Sequence, residues 1–408
     1  MAVFRPFTAI RPVKDKVHLI ASRSFVTYRK QQLDFKLATN PYSFIHIIHP
    51  GWNKPKKNKP NSAEKFKLVK EKFEDFYNKH YFIQDNIPSF YLYQQETENS
   101  RFIGFIGCNA IDDYFNNTIK KHENTLIKRE EIFKNYLDIC EINAEPVLIT
   151  YKDNEKITTI ISQQSSMPPE YDFTTADGVR HKLWVVSDKQ TTKKISNSFS
   201  KIDNLYIADG HHRCASSTLL GKEKRTKNSN YSGNEPFNFF MSYLVEESQL
   251  KLWEYNRIVK DLNGLTENQF LEKLTESFIV QPTSYFNKPS KINQFALRLA
   301  NQWYTLNIKP NYCNTNQTDT ELLTEYILSP ILGIKDLRTD KRIDFVPGKL
   351  TEKEIEEKIK SEKFTAGFVL YPTSIQQLKS IADNGLTMPP KSTWIEPKLR
   401  SGLTIYKL

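Results

Sequence analysis

The residues best suited to chemistry are densest between Asp209 and Arg213, where the chain reads Asp-Gly-His-His-Arg. They follow the apolar run 205–208 and precede a helix-like stretch, so we expect a strand, a tight turn and a helix N-terminus. Backbone N–H groups at such a terminus favour anions. Basic residues in the first turn oppose the helix dipole, at about 0.3–1 kcal/mol each when charged. A phosphate or carboxylate bound at the turn would offset that cost.

This turn admits a structural and a chemical interpretation. In the structural one, the Asp209 carboxylate is the N-cap and accepts a hydrogen bond from the N–H of His211 or His212, which stabilises the helix by about 1 kcal/mol. In the chemical one, Arg213 and the helix N-terminus hold a phosphate, Asp209 holds Mg²⁺ or a substrate group, and one histidine donates a hydrogen bond. A zinc site made by both histidines is disfavoured, because successive side chains on a helix point about 100° apart.

A second group of titratable residues lies near residue 120. Treated as one helix over residues 118–141, this stretch places Glu123 and Glu130 beside an apolar stripe. A carboxylate held beside a cleft could be a general base with a raised pKa. The alternative is that both glutamates form ordinary surface ion pairs with nearby lysines. We name Glu123 as the candidate base, and Lys120, His122 and Glu130 as candidate substrate- or phosphate-binding residues.

A third group lies in the proline-rich stretch 388–402. Prolines restrict the backbone there while Lys391, Ser392, Thr393 and Lys398 project from it, an arrangement that could form the rim of an anion site. The alternative is a rigid tail whose charge is incidental. On the first interpretation these four residues also bind substrate or phosphate.

The elements that must position these groups alternate between short helices and mixed strands, which favours an α+β fold. Neither G-x-G-x-x-G nor G-x-x-x-x-G-K-[ST] occurs, so the usual dinucleotide-binding and P-loop folds are disfavoured. The pattern also predicts several less certain elements: a strand soon after the turn at Asn40-Pro41, a strand at Thr158–Ile161, an exposed loop over 222–236 and a helix at Ile292–Leu299.

Length and composition limit the class of protein. At 408 residues, the chain is expected to form two or three domains. No apolar run approaches the roughly 18 residues of a membrane span, and four scattered cysteines are typical of a reduced, cytoplasmic protein. The net charge of +11 suits nucleic acid or small anions. However, the densest basic cluster, residues 54–60, is interrupted by proline and is interpreted as an exposed loop, so nucleic acid is disfavoured.

Six separated motifs, in this order, resemble the bacterial and archaeal family of unknown function called DUF1015. Together they span nearly the whole chain. They are N-P-Y-S-F at 40–44, I-K-K-H-E-N-T at 119–125 with R-E at 129–130, E-P-V at 145–147, G-V-R-H-K-L-W at 178–184, Y-I-A-D-G-H-H-R at 206–213 and M-P-P-K-S-T at 388–393.

The D-G-H-x-R element in turn resembles the phosphate-binding motif of the ParB/sulfiredoxin-like superfamily, which includes free L-serine kinases. The resemblance implies a mixed-sheet ParB/sulfiredoxin-like core with additional α+β elaborations. It also implies that Asp209, His211 and Arg213 handle the nucleotide phosphates and the metal, with Mg²⁺ and ATP or ADP as cofactors. We therefore expect a ParB-like nucleotide- and substrate-binding core with insertions at 1–250, an α+β subdomain at 251–340, and a segment at 341–408 that returns to the pocket.

The expected function is a cytoplasmic phosphotransferase that acts on free L-serine or O-phosphoserine with a nucleotide, in either direction. Glu123 would take the proton of the serine hydroxyl. The partners of the protein would be a nucleotide and a small amino acid, without contact with a membrane. Assembly into a homo-oligomer is left open. Two alternatives remain: a non-catalytic, nucleotide-gated ParB-like regulator or DNA-binding protein, and a metal-dependent phosphohydrolase that uses His122, His211 and His212.

Overall fold

The computed structural model describes residues 2–52, 59–228, 230–313 and 317–408. These residues fall into two compact units. Unit 1 consists of the described residues within 1–121, 125–250 and 397–408, and unit 2 of those within 122–124 and 251–396. Our expected division, by contrast, separated 251–340 from 341–408. Most of the expected basic loop, residues 54–58, lies outside the described part of the chain.

The strands are numbered along the chain. They are β1 (Phe4–Arg5), β2 (Ile10–Pro12), β3 (Phe82–Gln84), β4 (Phe90–Thr97), β5 (Ser100–Ala110), β6 (Ile119–Lys120), β7 (Ile142–Asn143), β8 (Val147–Tyr151), β9 (Tyr171–Thr174), β10 (Arg180–Val186), β11 (Leu205–Asp209), β12 (Phe239–Glu246), β13 (Lys251–Val259), β14 (Phe278–Thr283), β15 (Gln294–Leu299), β16 (Gln302–Ile308), β17 (Ile343–Pro347), β18 (Ala366–Val369), β19 (Thr393–Glu396) and β20 (Tyr406–Lys407).

The α-helices are numbered in the same way. They are α1 (Val17–Ile20), α2 (Lys30–Thr39), α3 (Ile45–Ile48), α4 (Ala63–Asn78), α5 (Ile111–Phe115), α6 (Ile127–Cys140), α7 (Glu155–Ser165), α8 (Lys189–Phe199), α9 (His211–Lys227), α10 (Glu267–Leu274), α11 (Asp319–Leu323), α12 (Glu352–Ser361) and α13 (Ile375–Asp383). Within the described residues, no helix has the length and apolar character that crossing a bilayer requires.

Unit 1 is built on a mixed sheet with the strand order β6-β11-β8-β12-β5-β4-β10-β9, and β1 also pairs with β5. Strand β11 is parallel to β6 and antiparallel to β8, and β12 is parallel to β8. Isoleucines of α7 and two residues of α8 pack with the sheet in one apolar core. A second core of unit 1 is formed mainly by α3, α4 and α6. The mixed sheet confirms the α+β class.

Unit 2 contains a sheet of order β14-β16-β15-β18-β13-β17, with β19 pairing β13 beyond the end of β17. Its strands pair antiparallel. One face is covered by apolar residues of α10 and α11, and the other by those of α12. Alternate residues of β13 therefore enter different cores, as Ile258 and Val259 do.

The predicted helix over 118–141 is wrong in its first third. Ile119 and Lys120 pair with β11 as a strand, and α6 begins only at Ile127. Glu123 therefore does not lie on this helix, and the argument that placed it beside Glu130 on one helical face fails. The backbone N–H and C=O groups of Ile119–Lys120 form sheet hydrogen bonds with β11 instead of helical ones. The helical spacing of the side chains could not reveal this partner.

Several shorter predictions are also corrected. The predicted strand at Thr158–Ile161 lies within α7, where Asn154 caps the first turn and Ile157, Ile160 and Ile161 have helical spacing. The predicted helix at Ile292–Leu299 is strand β15, paired with β16 in a hairpin. The apolar run after Pro41 forms the short helix α3 rather than a strand, and α9 continues to Lys227 into the expected loop.

Candidate functional site

The turn between β11 and α9 has the strand, turn and helix that its sequence predicts. The strand ends at Asp209, Gly210 has a left-handed backbone with φ of 101°, and the helix begins at His211. A Cβ atom on residue 210 would lie 2.9 Å from Nε and 2.9 Å from Nη2 of Arg213. The backbone conformation at residue 210 therefore favours glycine, and the Arg213 guanidinium occupies the space over the turn that a Cβ would enter.

The structural interpretation of Asp209 as the helix N-cap is wrong. Gly210 holds that position and, as a glycine, has no side chain to cap the helix. The first turn also carries no acidic residue. Because the N-cap residue offers the first-turn N–H groups no side-chain acceptor, the end of the helix keeps its preference for an anion.

Arg213 is the centre of a charged cluster in unit 1. Its Nη1 lies 2.6 Å from Oε1 of Glu145 and donates a hydrogen bond of 2.7 Å to the carbonyl oxygen of Pro146. Its Nη2 lies 3.5 Å from Oδ2 of Asp209, which is also 3.5 Å from Nζ of Lys398. The contact with Glu145 is tight, whereas both contacts of Asp209 exceed the roughly 2.7–2.9 Å of a charge-assisted hydrogen bond. The Arg213 guanidinium is thus held at Nη1. The Asp209 carboxylate is attracted by two cations but makes no short hydrogen bond to either.

The charge state of Asp209 follows from this arrangement. Burial alone would raise the pKa of its carboxyl, but the charges of Lys398 and Arg213 outweigh burial and hold the pKa below its ordinary value. The side chain remains 39% exposed. At neutral pH, Asp209 is therefore an ionised carboxylate that a solute can reach.

A second ion pair, which the sequence did not single out, lies on the same C-terminal segment. The Nη2 atom of Arg400, whose side chain is 4% exposed, lies 2.8 Å from Oδ2 of Asp177 and 3.3 Å from the hydroxyl of Thr175. Burial opposes ionisation of Asp177, but the Thr175 hydroxyl and the Arg400 charge prevail and lower its pKa to about 2. The pair thus fixes residue 400 against the β9–β10 turn.

His181, in strand β10, is a structural histidine. Its ring nitrogens lie 2.9 Å from the Tyr93 hydroxyl and 3.1 Å from the Thr175 hydroxyl. Burial, together with the nearby charge of Arg400, lowers its pKa to about 3. The ring is therefore neutral and serves to orient its neighbours rather than to carry charge.

The segment 398–402 joins several motifs that are distant in sequence. The Ser401 hydroxyl donates a hydrogen bond of 2.8 Å to Oε2 of Glu145, the partner of Arg213. The backbone of Ser401 pairs with that of Ser22, whose hydroxyl is 3.0 Å from the Ser43 hydroxyl. A chain of contacts therefore connects the Asn-Pro-Tyr-Ser-Phe motif to the β11–α9 turn. Glu145 and Ser401 were missed as site residues, although Glu145 belongs to one of the motifs.

The remaining predicted residues of unit 1 lie near this turn or on elements beside it. His211 is buried and His212 is half-buried, and burial followed by the charge of Arg129 lowers the His212 pKa. Lys120 lies in β6 opposite Tyr206 of β11. Glu130, in the first turn of α6, accepts a hydrogen bond from the Thr125 hydroxyl rather than forming the predicted lysine pair.

The other predicted residues belong to unit 2. His122 is 3% exposed, and its carbonyl oxygen accepts a 2.9 Å hydrogen bond from the Met388 N–H. Glu123 lines a cavity of about 270 Å³ that Lys335, Arg338 and Met388 also line. Among the C-terminal residues, Lys391 lies over the Tyr255 ring, Ser392 donates to the Pro389 carbonyl and Thr393 begins β19. In unit 1, by contrast, Asp209 is in direct contact with both Arg213 and Lys398.

A metal site made of protein ligands alone is not present in the described part of the chain. No three His, Cys, Asp or Glu side chains there are placed to hold one ion. A cation at Asp209 would therefore complete its coordination with water and with oxygens of a bound ligand, as Mg²⁺ commonly does at phosphates.

Comparison with known proteins shows the family. The model of the family described as "Protein of unknown function (DUF1015)" matches residues 4–329, so the chain belongs to this family. Among curated proteins, none matches the chain significantly.

Three solved structures show a distant likeness. A free serine kinase mutant in complex with AMP is 13% identical, with 74% of this chain and 93% of that chain covered and a TM-score of 0.37. C-terminally truncated SbnI from Staphylococcus aureus is 10% identical, with 73% and 85% covered and a TM-score of 0.39. A conserved hypothetical protein from Pyrococcus furiosus is 13% identical, with 72% and 90% covered and a TM-score of 0.34. At these TM-scores the likeness does not establish a shared fold or activity.

Proposed function

We propose that unit 1 binds the phosphates of ATP or ADP at the β11–α9 turn, and that the protein transfers a phosphoryl group between the nucleotide and the hydroxyl of free L-serine. The same site would also run in reverse, from O-phosphoserine. The observation that supports this most is the position of Asp209 between Arg213 and Lys398, at a helix N-terminus whose N-cap residue is a glycine. The serine substrate comes from the resemblance of the D-G-H-x-R motif to that of free serine kinases.

The cations suit a phosphate for a geometric reason. Arg213 is held through Nη1 by Glu145 and Pro146, so its Nη2 is directed over the turn at a fixed position. Lys398 approaches the same carboxylate from the C-terminal segment. Phosphoryl transfer requires positioning and charge neutralisation more than covalent chemistry. An anchored arginine and a nearby lysine beside a helix N-terminus would provide both.

Asp209 is the residue that fits Mg²⁺. It is ionised and accessible, and its long contacts with Arg213 and Lys398 leave its oxygens available to a hard cation. The bound ion would neutralise charge on the phosphate oxygens. Once Asp209 turns to the ion, Arg213 and Lys398 would be released to the phosphate itself, which makes binding of cation and nucleotide mutually dependent.

The assay is phosphoryl transfer from ATP or ADP to L-serine in the presence of MgCl₂, followed by ³¹P NMR, with O-phosphoserine as the starting material for the reverse direction. We expect Arg213→Ala and Asp209→Asn each to reduce transfer by about 10²–10³-fold, the usual effect of removing one preorganised charge. Arg180→Ala is the matched control, because it removes an exposed arginine–aspartate pair between β10 and β9 of the same unit.

Thermal unfolding of each variant separates loss of the site from loss of the fold. In the wild type, Mg²⁺ with ATP or ADP should raise Tm, because a ligand that binds only the native state stabilises it by mass action. In folded Arg213→Ala this rise should disappear. Full transfer activity in Asp209→Asn or Arg213→Ala would refute the proposed site.

A further inference from the structure

A cavity of about 270 Å³ lies within unit 2. Its lining comes from four stretches of the chain: residues 123–124, Thr324, residues 335–338 and residues 388–390. The volume is close to the lower end of the range of about 300–1,000 Å³ that is typical of small-molecule sites. The cavity is partly open to solvent, so a compact molecule can enter it.

The loop 334–338 holds two cations at this cavity. Its apolar residues, Ile334 and Leu337, are buried and belong to an apolar core of unit 2. Lys335 and Arg338, by contrast, are exposed and line the cavity. The buried residues thus fix the backbone of the loop, while the charged side chains remain accessible to a ligand.

Asp336 closes a turn in this loop. Its Oδ1 accepts a hydrogen bond of 3.0 Å from the backbone N–H of Arg338, and this bond is the main cause that lowers the pKa of the Asp336 carboxyl. The Arg338 guanidinium reaches the same oxygen only at 3.4 Å. The turn is therefore held by the backbone, and the guanidinium can meet a ligand without opening it.

Two of the six motifs meet at another part of the cavity wall. The Met388 N–H donates a 2.9 Å hydrogen bond to the His122 carbonyl oxygen, and Glu123 forms a parallel bridge with Met388. The Asn124 side-chain amide donates a hydrogen bond of 2.9 Å to the Thr387 hydroxyl. Proline restricts the backbone at the two positions after Met388. These contacts place Glu123 at the cavity, where it is partly buried.

A wide helical turn marks the same cavity independently. Helix α11 continues directly into a π-helical turn at Thr324–Leu328, in which the Ser329 N–H donates to the Thr324 carbonyl oxygen at 3.0 Å. Such turns are rare and frequently occur at functional sites. Thr324, the first residue of the turn, also lines the cavity.

The charged groups at the cavity are of both signs. Lys335 and Arg338 supply two cations, and Glu123 and Asp336 supply two carboxylates. A carboxylate accepts several hydrogen bonds, so Glu123 can receive an ammonium group in addition to the contacts that it already makes. A simple anion or a simple cation would meet like charge here, whereas a compact molecule that carries both charges complements the lining.

We propose that this cavity binds a compact zwitterion of the α-amino acid class, with its carboxylate at Lys335 and Arg338 and its ammonium group at Glu123. The inference stands on unit 2 alone, and it would hold even if unit 1 transferred no phosphoryl group. It would also supply the amino-acid site that the proposed function leaves unplaced.

The test is isothermal titration calorimetry of the full chain without nucleotide, with L-serine and O-phospho-L-serine as probes. L-glycerate lacks the ammonium group and L-serinamide lacks the carboxylate, so these two compounds separate the two ends of the ligand. Lys335→Met and Arg338→Met each remove one cation, and Glu123→Gln removes the carboxylate. Lys353→Met is the matched control, because it removes an exposed lysine of α12 that lies outside the cavity lining.

We expect at least one of the two probes to bind saturably to the wild type and to Lys353→Met. Lys335→Met and Arg338→Met should each raise its Kd by about tenfold, the usual effect of losing a hydrogen bond to a charged group, and should leave the Kd of L-serinamide unchanged. Glu123→Gln should also raise the Kd of the probe about tenfold, but should leave that of L-glycerate unchanged. Absence of saturable binding of both probes, or Kd values that all three cavity variants share with the wild type, would overturn the proposal.

A second measurement locates the ligand without any variant. Crystals of the wild type are soaked in L-serine or O-phospho-L-serine. A bound probe with its anionic group within hydrogen-bond distance of Nζ of Lys335 or the guanidinium of Arg338 supports the site. Water alone in the cavity, at saturating concentrations of both probes, would show that it is not an amino-acid site.

Discussion

The exchange of Gly210 for alanine tests whether this glycine exists to accommodate Arg213. The change has two costs that the structure separates. An alanine at φ of 101° adopts a strained backbone, which costs about 1–3 kcal/mol. Its Cβ would also lie 2.9 Å from Nε of Arg213, so the guanidinium must move away from Glu145 and Pro146. Losing those charge-assisted contacts adds about 1–2 kcal/mol.

Gly233→Ala is the matched control for the backbone strain alone. Gly233 has φ of 88°, and nothing lies within 4 Å of the position that its Cβ would occupy. We therefore expect Gly233→Ala to reduce the free energy of unfolding by the strain only, about 1–3 kcal/mol. Gly210→Ala should lower the free energy of unfolding by more than this control does. The difference should equal the contribution of the Arg213 contacts that the new Cβ displaces.

A double-mutant cycle with Arg213→Ala isolates the steric part. In that background the side chain that meets the new Cβ is absent, so Gly210→Ala should cost only the strain. The free energy of unfolding is measured by urea denaturation of all four proteins, at one pH and salt concentration. If Gly210→Ala lowers the free energy of unfolding by the same amount in both backgrounds, then glycine is needed at position 210 only for its backbone conformation. The contact between a Cβ atom and Arg213 would then have no effect on stability.

Three further outcomes are expected. Because the pKa of Asp177 is about 2 in the folded protein, against an ordinary value of 3.8, its pairing stabilises the fold above about pH 4, and this stabilisation is lost as pH falls towards 2. In urea titrations the difference in free energy of unfolding between wild type and Asp177→Asn, about 2 kcal/mol, should shrink over that range. If Glu123 is the general base, Glu123→Gln should reduce kcat for phosphoryl transfer by about 10²–10⁴-fold with Tm unchanged, and an unaltered kcat would exclude the role. Of the four cysteines only Cys313 is exposed, so a thiol reagent should label one equivalent in the native protein and four after denaturation.

The strand–turn–helix at Asp209 was predictable because its signals are local. An apolar run, a single glycine and a change of periodicity occur within a few residues, and these determine the backbone. The Glu123 segment was not predictable in this way. Ile119 and Lys120 become a strand because β11, more than 80 residues later, offers them backbone partners. Helical periodicity within a window contains no information about that partner.

The cluster around the turn was predictable only in part, for a related reason. Lys398 and Arg213 were identified from their charge, but the anchors Glu145 and Ser401 act through contacts that join residues 145, 213 and 401. Such contacts depend on tertiary packing.

The division of unit 1 along the chain has a consequence for biosynthesis. Residues 397–408, which supply Lys398, Arg400 and Ser401, follow the whole of unit 2 in chain order. Domains generally fold as they emerge from the ribosome, in order from the N-terminus. The β11–α9 turn can thus form early, but it meets its second cation only after about 190 further residues have been translated. A nascent or prematurely terminated chain would carry the turn with Asp209, Arg213 and Glu145 but without Lys398 and Ser401, so the order of synthesis itself keeps incomplete chains from completing the site.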